Sequence, residues 1–358
     1  MGTVKEGSNK SLSDQTSAYL ETVQEGSNIS YSDQTSAYLE TVQEGGNISF
    51  SDQTSAYVYY VKGLNKFATI KTLLKYYGLY RNYITIAMHI LRKKYPIEAS
   101  LRDGDKLLLR NELEAQIHGG RHDGFEYDTD NDIVTLSMYS HLNDQIKIKL
   151  CGGISNGDIR GIFVNKIYQQ LPVKGKTVID IGANIADSSI YFALRGANKV
   201  VGLEPFLKNI QLAQKNIEFN NLSDKITVYL AGCAASTQGV IVDPDFNSGS
   251  ASILKDFKEG IRIPVLTLED ILSYNDLLNA DSPILKMDCE GCEYAAILSA
   301  DKHTLQKFSH MIIEYHYGYK NLKEKLEKSG FKVLVTRPRI YTFARAKLRE
   351  GYIFAERY

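Results

Sequence analysis

The sequence predicts an α/β protein: a mostly parallel sheet with helices on both faces. Three observations carry that expectation. Thr177–Ile181 is apolar and β-branched with one acid, the pattern of a strand buried on both faces. Gly182-Ala183-Asn184 turns the chain, and Ala186 to Leu194 has helical spacing, with Ile190 and Leu194 four apart and Gly196 where a C-cap glycine belongs. Lys199–Glu204 is a second apolar run, stopped by Pro205. Strand, turn, helix and strand make a right-handed βαβ unit, which sets Asp180, the Gly182 turn and Glu204 along one crevice at the strand ends.

Such a crevice suits a nucleoside. Gly182 lets backbone approach a ligand, the helix N-terminus offers free N–H groups, and an acid about twenty residues on accepts ribose hydroxyls. Glu204 stands 24 residues after Asp180. A structural turn with a solvated glutamate would leave the same pattern. The dinucleotide fingerprint would need glycines at Asn184 and Asp187, so a pyrophosphate is poorly cradled and a nucleoside without phosphates is favoured.

The remaining elements follow in order. Ile162 to Gln170 reads as a helix leading into the first strand, Asn209–Asn220 as a helix, and Ile226–Ala231 as a third strand. Residues 232–282 form a long connection with small strands at Val240–Val242 and Ile261–Val265, a small-residue loop at 247–252 and a short helix from Thr267. Ile284 to Glu293 runs from the end of a further strand into the turn after it, Met311–Glu314 is another strand, and Phe331–Thr336 with Tyr352–Arg357 a closing antiparallel pair. Upstream, Leu64 to Arg92 suggests two helices broken near Gly78, Ile97 to Leu109 a β-hairpin, and residues 124–150 a strand-rich piece.

The chain has 358 residues, 43% of them hydrophobic, with 42 basic and 42 acidic side chains, so nothing global argues for nucleic acid. Charge is unevenly spread. Residues 1–56 hold eight acids and two bases, while residues 57–97 hold eight bases and no acid. Ser13–Tyr19 recurs at Ser32–Tyr38 and Ser51–Tyr57, a 19-residue period whose near-identical copies read as a recent duplication and a flexible acidic tail over residues 1–57. Residues 58–155 read as an N-terminal extension and 156–358 as the main domain. The basic face of residues 62–94 is either a solvated helix pair or a peripheral contact for anionic membrane or glycolipid. No apolar leader opens the chain, and no run approaches the roughly 18 residues of a membrane span, so a cytoplasmic protein is expected.

Lys286, Asp288, Glu290 and Glu293 crowd the end of one strand and the turn after it, and alternation sends Lys286 and Asp288 to the same face. Four charges there are unexpected in a core. A carboxylate at this edge can orient a hydroxyl or amine and take its proton. An ion network capping the strand is the bland alternative. Cys289 and Cys292 form a lone Cys-x-x-Cys without the second half of a zinc ribbon, so packing beside the site is expected in preference to a redox or metal role. His316, near the end of the next strand, reads as a base, a substrate contact or a rim histidine.

Together, Val178–Asn184, Gly202–Pro205, Leu285–Glu293 and Ile313–His316 resemble the FkbM-type S-adenosylmethionine-dependent methyltransferases, over roughly Asn156 to Tyr358. The resemblance implies a class I methyltransferase fold of seven strands, the last antiparallel. It implies S-adenosylmethionine as cofactor, held by Asp180, Gly182, Ala183, Asn184, Asp187, Glu204 and Pro205. Asp288 and Glu290, with Lys286 and His316 beside them, would face the methyl group and an acceptor hydroxyl on a sugar, glycan or polyhydroxylated metabolite. The family often has glycine where this chain has Ala186. Two rival readings are a nicotinamide-dependent oxidoreductase and a non-catalytic binding module.

Overall fold

The computed structural model describes residues 73–110 except 75 and 93, residue 118, residues 125–153 except 129, and residues 156–246, 259–279, 282–343 and 346–357. The acidic repeats and the loop 247–252 lie outside the described residues. No described helix is long and apolar enough to cross a membrane. Two compact units divide the described chain: residues 139–146 with 156–357, and residues 73–138 with 147–153.

In the smaller unit, helix α1 (Tyr83–Leu91) precedes the hairpin β1 (Ile97–Ser100) and β2 (Lys106–Leu109), paired antiparallel from Ile97↔Leu109 to Ser100↔Lys106. Of the two expected helices, residues 64–72 lie outside the described residues, and the break falls at Tyr80–Asn82, close to the expected Gly78. Tyr80 bridges Leu101, while the Asn82 amide donates to Glu98 O (2.7 Å) and accepts from Ser100 N (2.9 Å), so strand-like pairing outcompetes the helix there. Ile86 is buried with Tyr80, Ile97 and Leu109, while Ile84 and Met88 are exposed. Strands β3 (Phe125–Asp128), β4 (Ile133–Tyr139) and β5 (Gln145–Cys151) form a three-stranded sheet in that order.

The larger unit is built on β6 (Thr177–Ile181), α2 (Asp187–Leu194), β7 (Lys199–Glu204), α3 (Leu207–Phe219) and β8 (Ile226–Leu230). The segment expected to be helical from Ile162 is instead a π-helical turn, Arg160–Val164, followed by turns. Helix α2 ends as the sequence suggests: Gly196, at φ +93°, donates to Ala193 O while Ala197 N reaches Phe192 O, the paired closure that a left-handed glycine permits.

A small sheet of β9 (Gly232–Cys233), β10 (Gln238–Val242) and β11 (Ile261–Leu266) fills the long connection. Helix α4 (Leu268–Tyr274) follows, opened by a capping box in which Thr267 Oγ1 accepts from Asp270 N and Asp270 accepts from Thr267 N. Then come β12 (Ile284–Met287), α5 (Cys292–Ser299), α6 (Lys302–Leu305), β13 (His310–Tyr315), α7 (Lys320–Lys328), β14 (Phe331–Val335), β15 (Arg339–Phe343) and β16 (Ala346–Arg357).

The main sheet runs β14-β16-β13-β12-β6-β7-β8, with β15 added beside β16. Strand β16 is antiparallel to both neighbours, while β13, β12, β6, β7 and β8 pair in parallel. This is the expected seven-stranded sheet with one antiparallel strand; the β15–β16 hairpin is an addition the sequence did not suggest. The chain winds outward from β6 through β7 to β8 and returns on the other side at β12, so the β6/β12 boundary is the topological switch point, where a crevice opens at the strand ends. Period-two alternation sends Ile179 and Ile181 into one cluster with Val201, Leu203, Leu285, Met287 and residues of α4, α5 and α7. Asp180 points the opposite way, toward α2, whose Ser188 and Ser189 bond to it.

Candidate active site

The parallel register of β6 and β12 sets Lys286 beside Asp180. Lys286 Nζ lies 2.9 Å from Asp180 Oδ1, and Asp180 Oδ2 accepts from Ser188 Oγ (2.7 Å) and Ser189 Oγ (2.6 Å). Asp180 is buried with its strand. Lys286 is buried too, as is Glu293 further on, which corrects the expectation that these two of the four clustered charges stand outside the core: Lys286 and Asp180 are paired and hydrogen-bonded, the condition on which burial of charge is tolerated. Burial alone would lower the Lys286 ammonium, but the carboxylates of Asp180, Asp288 and Asp187 outweigh it and hold its pKa above the ordinary value. Lys286 also donates to Gly182 O (2.7 Å), tying the turn down from beneath.

That turn needs its glycine. Gly182 sits at φ +76°, and a Cβ there would fall 1.8 Å from Asp288 O, so the two strand-end turns meet backbone to backbone. Gly182 N and Ala183 N both donate to Leu203 O at 3.0 Å. Asn184 N donates to Glu204 Oε2 (2.9 Å), and Glu204 Oε1 accepts from Phe206 N and Asn209 Nδ2, both at 3.1 Å. Burial pushes the Glu204 carboxyl up to about 7, against the pull of those hydrogen bonds. Asn184 Oδ1 is buried with no hydrogen-bond partner among the described residues. Asp187 accepts from Ser188 N and Asp158 N, and burial raises it to about 7.

On the facing wall, Asp288-Cys289-Glu290-Gly291 turns from β12 into α5, with Glu290 at φ +57° and Gly291 at φ +118° as N-cap. Glu293, fully buried in the first turn of α5, accepts from Cys289 N (2.9 Å) and Gly291 N (2.8 Å). Its Oε1 also faces His316 Nδ1 at 3.3 Å, while His316 Nε2 stands 3.4 Å from Glu290 and 3.8 Å from Asp288. Burial would lower the imidazole, but the charges of Glu293, Asp288 and Glu290 raise it to about 11. His316 is therefore an imidazolium at neutral pH, and proton acceptance falls to the carboxylates beside it. Burial raises Glu290 to about 7, with His316 opposing. Glu314 is pushed to about 9 by burial and by the Asp288 charge, and it hydrogen-bonds the Tyr352 side chain.

Cys289 and Cys292, expected to pack as thiols, form a disulfide. Ligand atoms of Asp288, Glu293 and His316, and of Glu314, His316 and Glu350, lie within 4.8 Å of one another. In both sets the histidine is protonated, so a metal ion would have to displace that proton.

A cavity of about 360 Å³ joins the two walls. Of the residues singled out in the sequence, Gly182, Asn184, Asp187, Glu204, Pro205, Lys286, Asp288, Glu290 and His316 all line it. Asp180 and Ala183 do not: Asp180 is the buried anchor of Lys286, and Ala183 is buried without reaching the cavity. The cavity also draws in Asn156, Asp158, Tyr168, Asn209, Glu314, Glu350 and Tyr352, none of which the sequence reading assigned to the site. Position at the carboxyl end of β13 could have flagged Glu314. Glu350 and Tyr352 arrive on an antiparallel strand with no local signature.

Residues 180–333 match the family model described as the Methyltransferase FkbM domain. Over 161 residues, 45% of this chain, the sequence is 26% identical to Uncharacterized protein 158B of Sulfolobus islandicus rod-shaped virus 1, covering 73% of that protein. The crystal structure of Methyltransferase FkbM from Methylobacillus flagellatus KT aligns at 17% identity and TM-score 0.36, covering 56% of this chain and 48% of that one. This chain thus spans about half of that protein's length. The O-methyltransferase from Bacillus cereus, solved in complex with SAH, aligns at 15% identity and TM-score 0.34, over 56% of this chain and 81% of its own.

Proposed function

From the FkbM methyltransferase domain carried over residues 180–333, we propose that this chain transfers a methyl group from S-adenosylmethionine to a hydroxyl of a sugar, glycan or other polyhydroxylated small molecule. One observation carries the reading. Glu204, the glycine turn and the carboxylates Asp288 and Glu290 share a single cavity at the switch point of the sheet. Those residues suit the cofactor: Gly182 and Asn184 line the cavity, and Asn184 Oδ1 is a buried acceptor in want of a donor. Glu204 already accepts three hydrogen bonds, and a carboxylate has about four lone-pair sites, which leaves room for one ribose hydroxyl.

When bound, the cofactor supplies an electrophilic methyl group. The chain's own residues then do the rest. Glu290, titrating at about 7, would take the proton of an acceptor hydroxyl, with Asp288 as the neighbouring carboxylate. His316, positively charged, orients both carboxylates and keeps them from repelling one another. Peripheral contact with anionic lipid through residues 62–94 belongs to the same proposal, supported by the exposed Ile84 and Met88 beside Arg81, Arg92 and Lys94.

Incubation with methyl-labelled S-adenosylmethionine and a panel of glycosides and polyols tests the reading. Label recovered as a methyl ether supports it. Label recovered on an amine would overturn the hydroxyl assignment.

A further inference from the structure

The disulfide between Cys289 and Cys292 closes a short ring around Glu290 and Gly291, and both cysteines line the cavity. Cys289 is partly accessible and Cys292 is buried. Within this ring Glu290 adopts a left-handed backbone that a non-glycine residue seldom takes, so something must hold it there. The ring also abuts the opposite wall: a Cβ on Gly182 would lie 3.3 Å from Cys289 Cα. Cys292 is the first residue of α5, where free N–H groups favour a thiolate.

We propose that Cys289–Cys292 is a thiol–disulfide exchange site, opened by a dithiol reductant entering the cavity, and that its oxidation state fixes the position of Glu290. A thiolate of the reductant attacks Cys289 Sγ, the Sγ–Sγ bond breaks, and Cys292 leaves as the thiolate. The second thiol of the reductant then displaces Cys289. Two electrons and two protons pass to the protein, which gains two thiols, and the reductant leaves as its cyclic disulfide. The Glu293 carboxylate accepts from Cys289 N and Gly291 N without involving sulfur, so the amides flanking Glu290 stay tied to α5 when the ring opens, and the freedom gained is local to Glu290.

The test uses the full chain purified without reductant, with thiol alkylation, peptide mapping and amide exchange of the 286–293 segment. We expect Cys289 joined to Cys292, with Cys151 and Cys233 as thiols. Excess dithiothreitol without denaturant should open the bond and raise amide exchange at Glu290 about fivefold, and reoxidation should reverse the change. The Cys289→Ser/Cys292→Ser variant should exchange at the faster rate with or without reductant. Free thiols at both positions in the untreated protein, a bond that opens only in denaturant, or exchange that does not change on reduction would each overturn the proposal. None of these readouts needs cofactor or acceptor, so they stand apart from the methyl-transfer reading.

Discussion

His316 Nδ1 and Glu293 Oε1 stand 3.3 Å apart, both buried, and this contact joins the end of β13 to the turn after β12. Glu293 also accepts from two backbone amides of that turn. Glu293→Gln should bring the His316 pKa down from about 11 toward its ordinary value, read from the ring resonances. It should also cost about 3 kcal/mol in denaturant unfolding, the scale of a broken buried ion pair. An unmoved imidazole titration would mean that Glu293 does not set its charge.

Stability should fall as pH rises from 5 to 9. Glu204 and Glu290 in the fold titrate at about 7 and Glu314 at about 9, above the ordinary 4.5. The unfolded chain therefore sheds these protons first, and the fold is penalised from about pH 4.5 up through those values. His316 acts in the same direction: its contribution is complete below about 6.5 and is lost as pH climbs toward about 11. Thermal melts across the range should show the decline, and Glu314→Gln should flatten it.

Lys286→Ala strips Asp180 of its cation and the Gly182 carbonyl of its donor. A loss of about 3–5 kcal/mol is expected from the unpaired buried carboxylate. Lys286→Ala/Asp180→Asn should recover part of that loss, and additive losses would contradict the pairing.

Glu290→Gln and Asp288→Asn should each abolish turnover while leaving affinity for S-adenosylhomocysteine within a few-fold, since neither side chain belongs to the glycine turn or the Glu204 wall. Retained turnover, followed by methyl release, would remove the altered residue from the mechanism.

Much of the fold was legible because it is written locally. The β-branched run of β6, the glycine turn and the C-cap at Gly196 each carry their own signature. The site was legible as far as its residues sit at the ends of such elements, as Glu204 and Asp288 do. What escaped depends on register. Lys286 reads as a site cation by alternation with Asp288, yet the parallel pairing with β6 puts it against Asp180 and buries it. The Cys289–Cys292 bond needed the turn geometry, and Glu350 and Tyr352 needed the path of β16 beside β13, which sets Tyr352 against Glu314.

Calorimetric titration with S-adenosylhomocysteine, and separately with NAD and NADP, decides which nucleoside the cavity takes. S-adenosylhomocysteine alone should bind, weakened at least tenfold by Glu204→Ala, a loss of about 1.4 kcal/mol. Binding of a nicotinamide cofactor in its place, or no binding of any of the three, would contradict the methyl-transfer reading.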